Sequence, residues 1–464
     1  MTMEYDDKLV PLGIEGLDDI LDGGVRRGSI ILVAGSPGSG KTSFAARFVY
    51  EGLTRGEPGI YLSFNEYREE FLENMSRLGL DFEVYEEQGK FVFIEALNIN
   101  DEEAISATLE SLLSAIDAIG AKRLVIDTIT SILRVLGSDQ RARELLHSLF
   151  IHHVKRHGVT TILTAELPVG SSRLGYGIEE FVVDGLIMLK TSFSGDKIIR
   201  TMEILKMRGH RTTLARLTYA IVPGKVIAVR TPPKILNIPA PSEVLRFRLS
   251  AANMSYSVSL PRGSQILVSI HPAFDPPTIL LGLACNIEAE PPVKVLYRSF
   301  TRSPDEVKWI LRRLSCSDPT VEITKISSIN PTIYSATELA MHSIDEDLRV
   351  MPDVVVVDGI KQAFWLSGEV DVGIREHFNN IQHRRIHGIT GVYVYSAALK
   401  ELVNTYPLYN IYDTIFYIAP RRMGNALYID ITTLKLHYSV PSQHVTLPVS
   451  SIVGALYSNN TTEN

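Results

Sequence analysis

Short apolar runs recur along the first half of the chain at 30–34, 60–64, 124–126, 161–164 and 186–189, each flanked by polar or glycine-containing stretches. Runs this short and rich in Ile, Val and Leu predict buried strands. Between them the segment 104–119 spaces its apolar residues as a helix does, and 41–50 predicts another helix. Strand then helix, repeated, predicts an α/β fold: a mainly parallel sheet with helices on both faces.

The second half repeats the first as a distant copy. Arg27-Gly28-Ser29 before an apolar run returns as Arg262-Gly263-Ser264 before 265–269. Tyr61-Leu62-Ser63-Phe64 is echoed by Tyr297-Arg298-Ser299-Phe300, and His157-Gly158-Val159-Thr160 by His387-Gly388-Ile389-Thr390. Preserved order at a period near half the chain indicates internal duplication. Between the copies, 231–244 carries Pro232, Pro233, Pro239 and Pro241, which disfavour helix and central strand alike. The predicted organisation is a first domain at 8–230, a linker at 231–244, a second domain at 245–455 and a polar tail at 456–464. Both domains should be tandem α/β units of one type.

The chain has 464 residues, of which 45% are hydrophobic and 21% charged, an ordinary globular composition. Residues 1–230 hold 26 basic and 32 acidic side chains, so that half carries −6 and the remainder −1 of the total −7. Neither half advertises a polyanion partner. Cys285 and Cys316 are too few for a disulfide framework, and a reducing interior is the expectation. The first ten residues lack an apolar signal segment, and the charge-free stretch 436–462 is broken by Pro441, His444 and Pro448. A cytoplasmic protein with no membrane association is expected, and the Asn459 and Asn460 sequons belong to the polar tail.

The strongest chemical signal is Gly35-Ser36-Pro37-Gly38-Ser39-Gly40-Lys41-Thr42, followed by Ser43. It directly follows a predicted strand and opens a predicted helix, the setting a phosphate loop requires. Glycines let backbone N–H groups converge on phosphates, the helix N-terminus adds positive potential, Lys41 neutralises phosphate charge, and Thr42 offers a hydroxyl to Mg²⁺. A merely tight turn would not need the lysine. Asp127, ending the run Lys122-Arg123-Leu124-Val125-Ile126-Asp127, is placed to complete the Mg²⁺ shell through water. ATP and Mg²⁺ are the expected ligands.

These motifs, with Gly13-Ile14-Glu15-Gly16-Leu17-Asp18-Asp19-Ile20-Leu21, Tyr176-Gly177-Ile178-Glu179-Glu180-Phe181-Val182-Val183-Asp184 and Glu203-Ile204-Leu205-Lys206-Met207-Arg208-Gly209, resemble the KaiC branch of the RecA-like ATPases. The resemblance is close to about Val229 and faded beyond it. It implies a homo-oligomer, a hexameric ring with ATP or ADP held between subunits, in which Lys206 and Arg208 reach a neighbour's phosphates. Two residues apart on a strand, both side chains leave one face, so their charges could converge on one anion. Where the family usually has two adjacent glutamates this chain has Asn65-Glu66, leaving Glu66 as the candidate base. The competing reading makes Asn65 the cap of a helix running to Leu78. The clock-type phosphoacceptor places hold Tyr409 and Asn410 before Asp413, and Glu180 and Phe181 before Asp184, which disfavours autophosphorylation.

At the second phosphate-loop place the chain reads Ile270-His271-Pro272-Ala273-Phe274-Asp275-Pro276-Pro277-Thr278, without glycine or lysine. Arg302 stands where Glu66 does, and Asp358 keeps the place of Asp127. This predicts a degenerate second domain serving assembly, regulation or an unidentified regulatory protein partner. Two other functions stay open: a DNA-dependent recombinase-like or helicase-like ATPase, using 132–143 with Arg134, Arg141 and Arg143 or 168–178 with Arg173, and a nucleotide-gated scaffold that does not hydrolyse. His147, His152, His153 and His157 are read as a solvated helix face, and Trp309, Tyr393, Tyr395, Tyr409 and Tyr412 as core.

Overall fold

The structure is a computed structural model that describes residues 9–97, 99–136, 157–167, 183–194, 196–211, 214–222, 224–233, 235–252, 254–314, 320–367, 370–404, 408–436 and 444–457. The chain divides into two compact units, Met1–Thr231 and Pro232–Asn464. No helix among the described residues is long and apolar enough to cross a membrane.

The first unit is built on nine strands: β1 (Ile30–Gly35), β2 (Gly59–Ser63), β3 (Phe91–Glu95), β4 (Arg123–Asp127), β5 (Thr160–Glu166), β6 (Gly185–Ser194), β7 (Lys197–Met207), β8 (Arg216–Val222) and β9 (Val226–Val229). Their order is β9-β8-β7-β6-β1-β5-β4-β2-β3, parallel from β6 to β3 and antiparallel through the last hairpins. Every residue of β1 is buried because both sheet faces are covered. Ile31 and Val33 meet Phe44 and Phe48 of α1 (Lys41–Thr54), whereas Ile30 and Leu32 meet Ile105 and Leu112 of α3 (Glu102–Ile119). On the α1 face also lies α2 (Arg68–Arg77), and after β4 comes α4 (Ile129–Leu136). Asp101 caps α3 by accepting from Ala104 N at 2.8 Å.

The second unit repeats the plan with β12 (Gln265–Ile270), β14 (Val293–Ser299), β15 (Val321–Ser328), β16 (Val354–Asp358), β17 (Thr390–Ser396), β18 (Thr414–Met423), β19 (Ala426–Lys435) and β20 (His444–Pro448). The order β15-β14-β16-β17-β12-β18-β19-β20 matches the first sheet strand for strand, short of one edge strand. Equivalent hydrogen bonds recur: Asp184 Oδ2 accepts from Ile30 N at 3.0 Å and Asp413 Oδ2 from Gln265 N at 2.8 Å. Thr160 and Thr390 likewise accept from Gly28 N and Gly263 N at 3.1 and 3.0 Å. The linker stretch leads into an addition that periodicity did not show, a three-stranded sheet of β10 (Val244–Ala251), β11 (Met254–Pro261) and β13 (Ile287–Glu290).

The helices of this unit include α5 (Pro276–Ala284), α6 (Pro304–Leu314), α7 (Ala336–Val350), α8 (Ile360–Leu366) and α9 (Val370–Ile386). Beneath α7 and α9 a charged network is buried: Arg298 donates to Glu346 at 2.9 Å and Asp347 at 2.7 Å, while Arg384 donates to Asp347 at 2.7 Å and Tyr393 at 2.8 Å. Two expectations need correction. Trp309 is 52% exposed, covered on one side by the Arg313 guanidinium at 4.6 Å, although Tyr393, Tyr395 and Tyr412 are core as expected. Cys285, following α5, is disulfide-bonded rather than a reduced thiol.

Candidate nucleotide site

The phosphate loop 36–40 leaves the carboxyl end of β1 and turns into α1 with Gly40, in the left-handed region at φ 90°, as its N-cap. Gly38 has φ 75°, a conformation that favours glycine, and an added Cβ there would meet nothing within 4 Å, so the tip of the loop faces open space. Ser39 is buried with its hydroxyl unpartnered among the described residues, and Tyr219 donates to its carbonyl. Lys41 folds back to donate to Ser36 O at 3.1 Å. Burial pulls the Lys41 pKa down, opposed by the carboxylates of Asp127 and Glu166. An ammonium whose charge burial disfavours gains from an anion beside it.

Asp127, closing β4, is surrounded by hydroxyls. Thr42 donates to its Oδ2 at 2.9 Å, Tyr61 to the same oxygen at 2.6 Å, and Thr164 to Oδ1. Thr42 and Asp127 thus already touch, joining the helix start to the strand end. A hydroxyl and a carboxylate are hard oxygen donors of the kind Mg²⁺ takes, so the donor set fits that ion. Tyr61 and Thr164 escaped the motif reading, although the Tyr-x-Ser-Phe echo between the two halves was the signal for Tyr61.

Glu66 stands across a cleft of about 600 Å³ whose lining includes Thr42, Ser63, Asn65, Glu70 and Asp127. Burial raises its pKa, Asn74 Nδ2 opposes this by donating to Oε1 at 2.9 Å, and the nearby charges of Glu70 and Asp127 raise it further. The capping reading of Asn65 fails. Helix α2 begins at Arg68 with Tyr67 as an N-cap that offers no side-chain bond. It is Ser63 Oγ that builds the turn, accepting from Asn65 N at 3.4 Å and Glu66 N at 3.1 Å, which leaves the Asn65 side chain exposed.

Lys206 and Arg208 do not join this cluster. In register Gly35 faces Leu189 of β6, which faces Met202 of β7, and β7 then runs away from the loop. Lys206 donates to Val183 O at 2.8 Å, and Arg208 reaches Asp184 Oδ1 at 3.5 Å, at the amino end of the parallel strands. Four to six residues beyond Met202 at about 3.4 Å each put them roughly 14–20 Å along the sheet from the loop.

The opening block Gly13 to Leu21 is a clasp. Asp18 accepts from Leu12 N at 2.7 Å and Gly13 N at 2.8 Å, and burial lifts its pKa to about 6. The remaining candidates fall elsewhere. Arg134 pairs with Glu166 at 3.1 Å, while Arg141, Arg143, Arg173, His147, His152, His153, Glu180 and Phe181 lie outside the described residues. His157 lies 3.6 Å from Asp117 at an exposed site, and no group of three potential metal ligands occurs among the described residues.

Residues 10–234 match the protein family described as ATPase: KaiC. A UPF0273 protein of Pyrococcus horikoshii is 32% identical over 240 residues, covering 49% of this chain and 95% of that protein. The chain belongs to the KaiC family of RecA-like ATPases. The KaiC-family match covers the first domain and the first residues of the linker. The circadian clock protein KaiC3 of Synechocystis is 32% identical over 225 residues, 47% of this chain and 44% of the relative. The circadian clock oscillator protein KaiC of Thermostichus vulcanus is 35% identical over 214 residues, 44% of this chain and 40% of the relative. The chain thus spans less than half the length of these clock proteins. The fold of this KaiC-family chain is two tandem RecA-like domains.

At the second domain's loop, which has the same length, Asp275 takes the place of Gly40, and Pro276 and Pro277 those of Lys41 and Thr42. Asp275 caps α5 through Thr278 N at 3.3 Å and pairs with Arg302 at 2.9 Å. The Ser63 turn survives, since Ser299 Oγ accepts from Thr301 N and Arg302 N at 3.1 and 2.9 Å, but it now presents a cation. Ser299 and Thr301 occupy Asp358 at 2.8 and 3.0 Å.

Proposed function

We propose that the first domain binds ATP through Gly35 to Ser43 and hydrolyses it at the subunit interfaces of a hexameric ring. The observation that carries this reading is the separation just described: one sheet bears an incomplete phosphate site at one end and Lys206 with Arg208 at the other, as a site shared between neighbours requires.

Backbone N–H groups of the loop and the N-terminus of α1 receive the phosphates, and Lys41 pairs with their charge. Thr42 and Asp127 would hold Mg²⁺, which supplies charge neutralisation on the phosphate oxygens. Glu66 orients a water and accepts its proton as the water oxygen bonds to the terminal phosphorus and the bond to the bridging oxygen breaks, giving ADP and phosphate. Lys206 and Arg208 of the adjacent subunit stabilise the charge that accumulates.

The second domain acts as a pseudo-ATPase that turns nucleotide state into altered contact with a regulatory protein partner. Proline removes N–H donors, Asp275 sets a negative charge where phosphate would sit, and Arg302 replaces the base. A DNA-driven motor has less support, because Arg134 is paired and the first half is net negative.

The test is phosphate release together with mass by light scattering, comparing wild type and Glu66→Gln with and without Mg-ATP and single-stranded DNA. Turnover that needs Glu66, in a hexamer indifferent to DNA, supports the proposal. Assembly without turnover would make the protein a nucleotide-gated scaffold, and salt-sensitive stimulation by DNA would make it a recombinase-like enzyme.

A further inference from the structure

The two domains differ beneath the helix that follows the phosphate-loop position. Helices α1 and α5 start at equivalent places, but α1 runs 14 residues and α5 only nine. Counted from those starts, Phe48 is matched by Leu283 and Val49 by Ala284. At the head of the strand that ends in the buried aspartate, Arg123 is matched by Val354. In the first domain the Arg123 guanidinium lies 4.8 Å over the Phe48 ring, both side chains are buried, and together they fill the space between helix and sheet. In the second domain all three positions carry smaller side chains.

Where α1 would continue, the second-domain chain instead turns into β13, which joins β10 and β11 as a sheet laid over this face. Tyr256 of β11 fastens it by a 3.0 Å hydrogen bond to Thr433 of β19. A cavity of about 200 Å³ remains between the two sheets, with Leu283, Ala284 and Val354 in its wall beside Phe247, Val258 and Val356. The wall is apolar almost throughout. Tyr297 also lines it with its ring, while its buried hydroxyl lies toward Asp358, as the equivalent Tyr61 does toward Asp127.

Such a space does not hold water, which needs two to four polar partners, and an apolar void of about 150 Å³ suffices for benzene. We propose that this cavity is a binding site for a small uncharged aromatic molecule somewhat larger than benzene. The second domain has exchanged a phosphate cradle and its packed helix for an apolar receptor site. This inference does not depend on the nucleotide chemistry of the first domain.

The test uses the full chain titrated with 1-naphthol by calorimetry, with 1-naphthoate as the charged control. Saturable binding of one naphthol per chain is expected, without binding of naphthoate. Leu283→Phe and Ala284→Val, which restore the first domain's residues, should each weaken naphthol by about tenfold or more while ATP binding is retained. Should either filling variant fail to fold, methyl resonances of Leu283 and Val354 in the wild type must shift on naphthol addition. No saturable binding, equal affinity in the filling variants, or methyl shifts confined to other sites would overturn the proposal.

Discussion

Arg208→Ala tests whether the nucleotide site is shared between subunits. In the folded chain Arg208 makes an ion pair with Asp184 at 3.5 Å, with 59% of its own side chain exposed. An exposed pair of this kind contributes about 0–1 kcal/mol, and Asp184 keeps its bond from Ile30 N, so the variant should fold. The register places Arg208 roughly 20 Å along the sheet from its own phosphate loop, too far to alter ATP affinity within one chain. If it acts on a neighbour as an arginine finger, turnover should fall on the order of 10³-fold, about 4 kcal/mol of barrier. The assay is steady-state phosphate release beside nucleotide-binding titration, for the variant alone and mixed with Lys41→Ala. Each variant is inactive for a different reason, and in randomly mixed rings about a quarter of the sites unite an intact loop with an intact neighbouring arginine. Activity should therefore reappear on mixing. Unchanged turnover in Arg208→Ala, or no recovery in mixed rings, would refute the shared-site reasoning.

Three further predictions concern titration and buried charge. Glu66 must be ionised to accept a proton, and burial raises its pKa, so the acid limb of the turnover profile should lie above the ordinary glutamate range near pH 4.3. Asn74→Ala removes the bond that opposes the rise and should move that limb higher, and a pH–rate profile with an unmoved limb would exclude Glu66 as its source. Asp347→Ala leaves the buried Arg384 without its carboxylate, while Arg298 keeps Glu346, and should cost about 3–5 kcal/mol in urea unfolding of the second domain, whereas a loss under about 1 kcal/mol would show the network to be dispensable. His377, bonded to Tyr412 at 2.8 Å, has its pKa pushed down to about 3 by burial and by the Arg384 charge. Its folded pKa lies below the unfolded value near 6.5, so its contribution is whole above about pH 6.5 and lost as pH falls toward 3. His377→Gln should flatten that acid loss when unfolding is followed from pH 7 to pH 4, and an unaltered slope would assign the loss to other groups.

Much of the candidate nucleotide site was legible because its chemistry is local. A phosphate loop spans a few consecutive residues between a strand and a helix, and Gly35 to Thr42 can be recognised from their order alone. Asp127 was legible because a buried strand ends on it. The Ser63 turn was not, since a hydroxyl two residues before Asn65 competes with Asn65 for the same capping role and only the backbone path decides between them. Tyr61 and Thr164 stayed hidden for another reason. They reach Asp127 from neighbouring strands, 66 and 37 residues away in the chain.

The sequence by itself determined the α/β class, the duplication, the intact loop of the first domain and its loss in the second, because each depends on residue type and short spacing. Tertiary structure alone decided the rest. Strand order carries Lys206 and Arg208 to the opposite end of the sheet from the loop, long-range packing buries Arg298 and Arg384 on one carboxylate, and a helix five residues shorter leaves an apolar cavity that a second sheet covers. Sequence spacing fixes what a segment can form, while distances between segments are set only when the sheet has assembled.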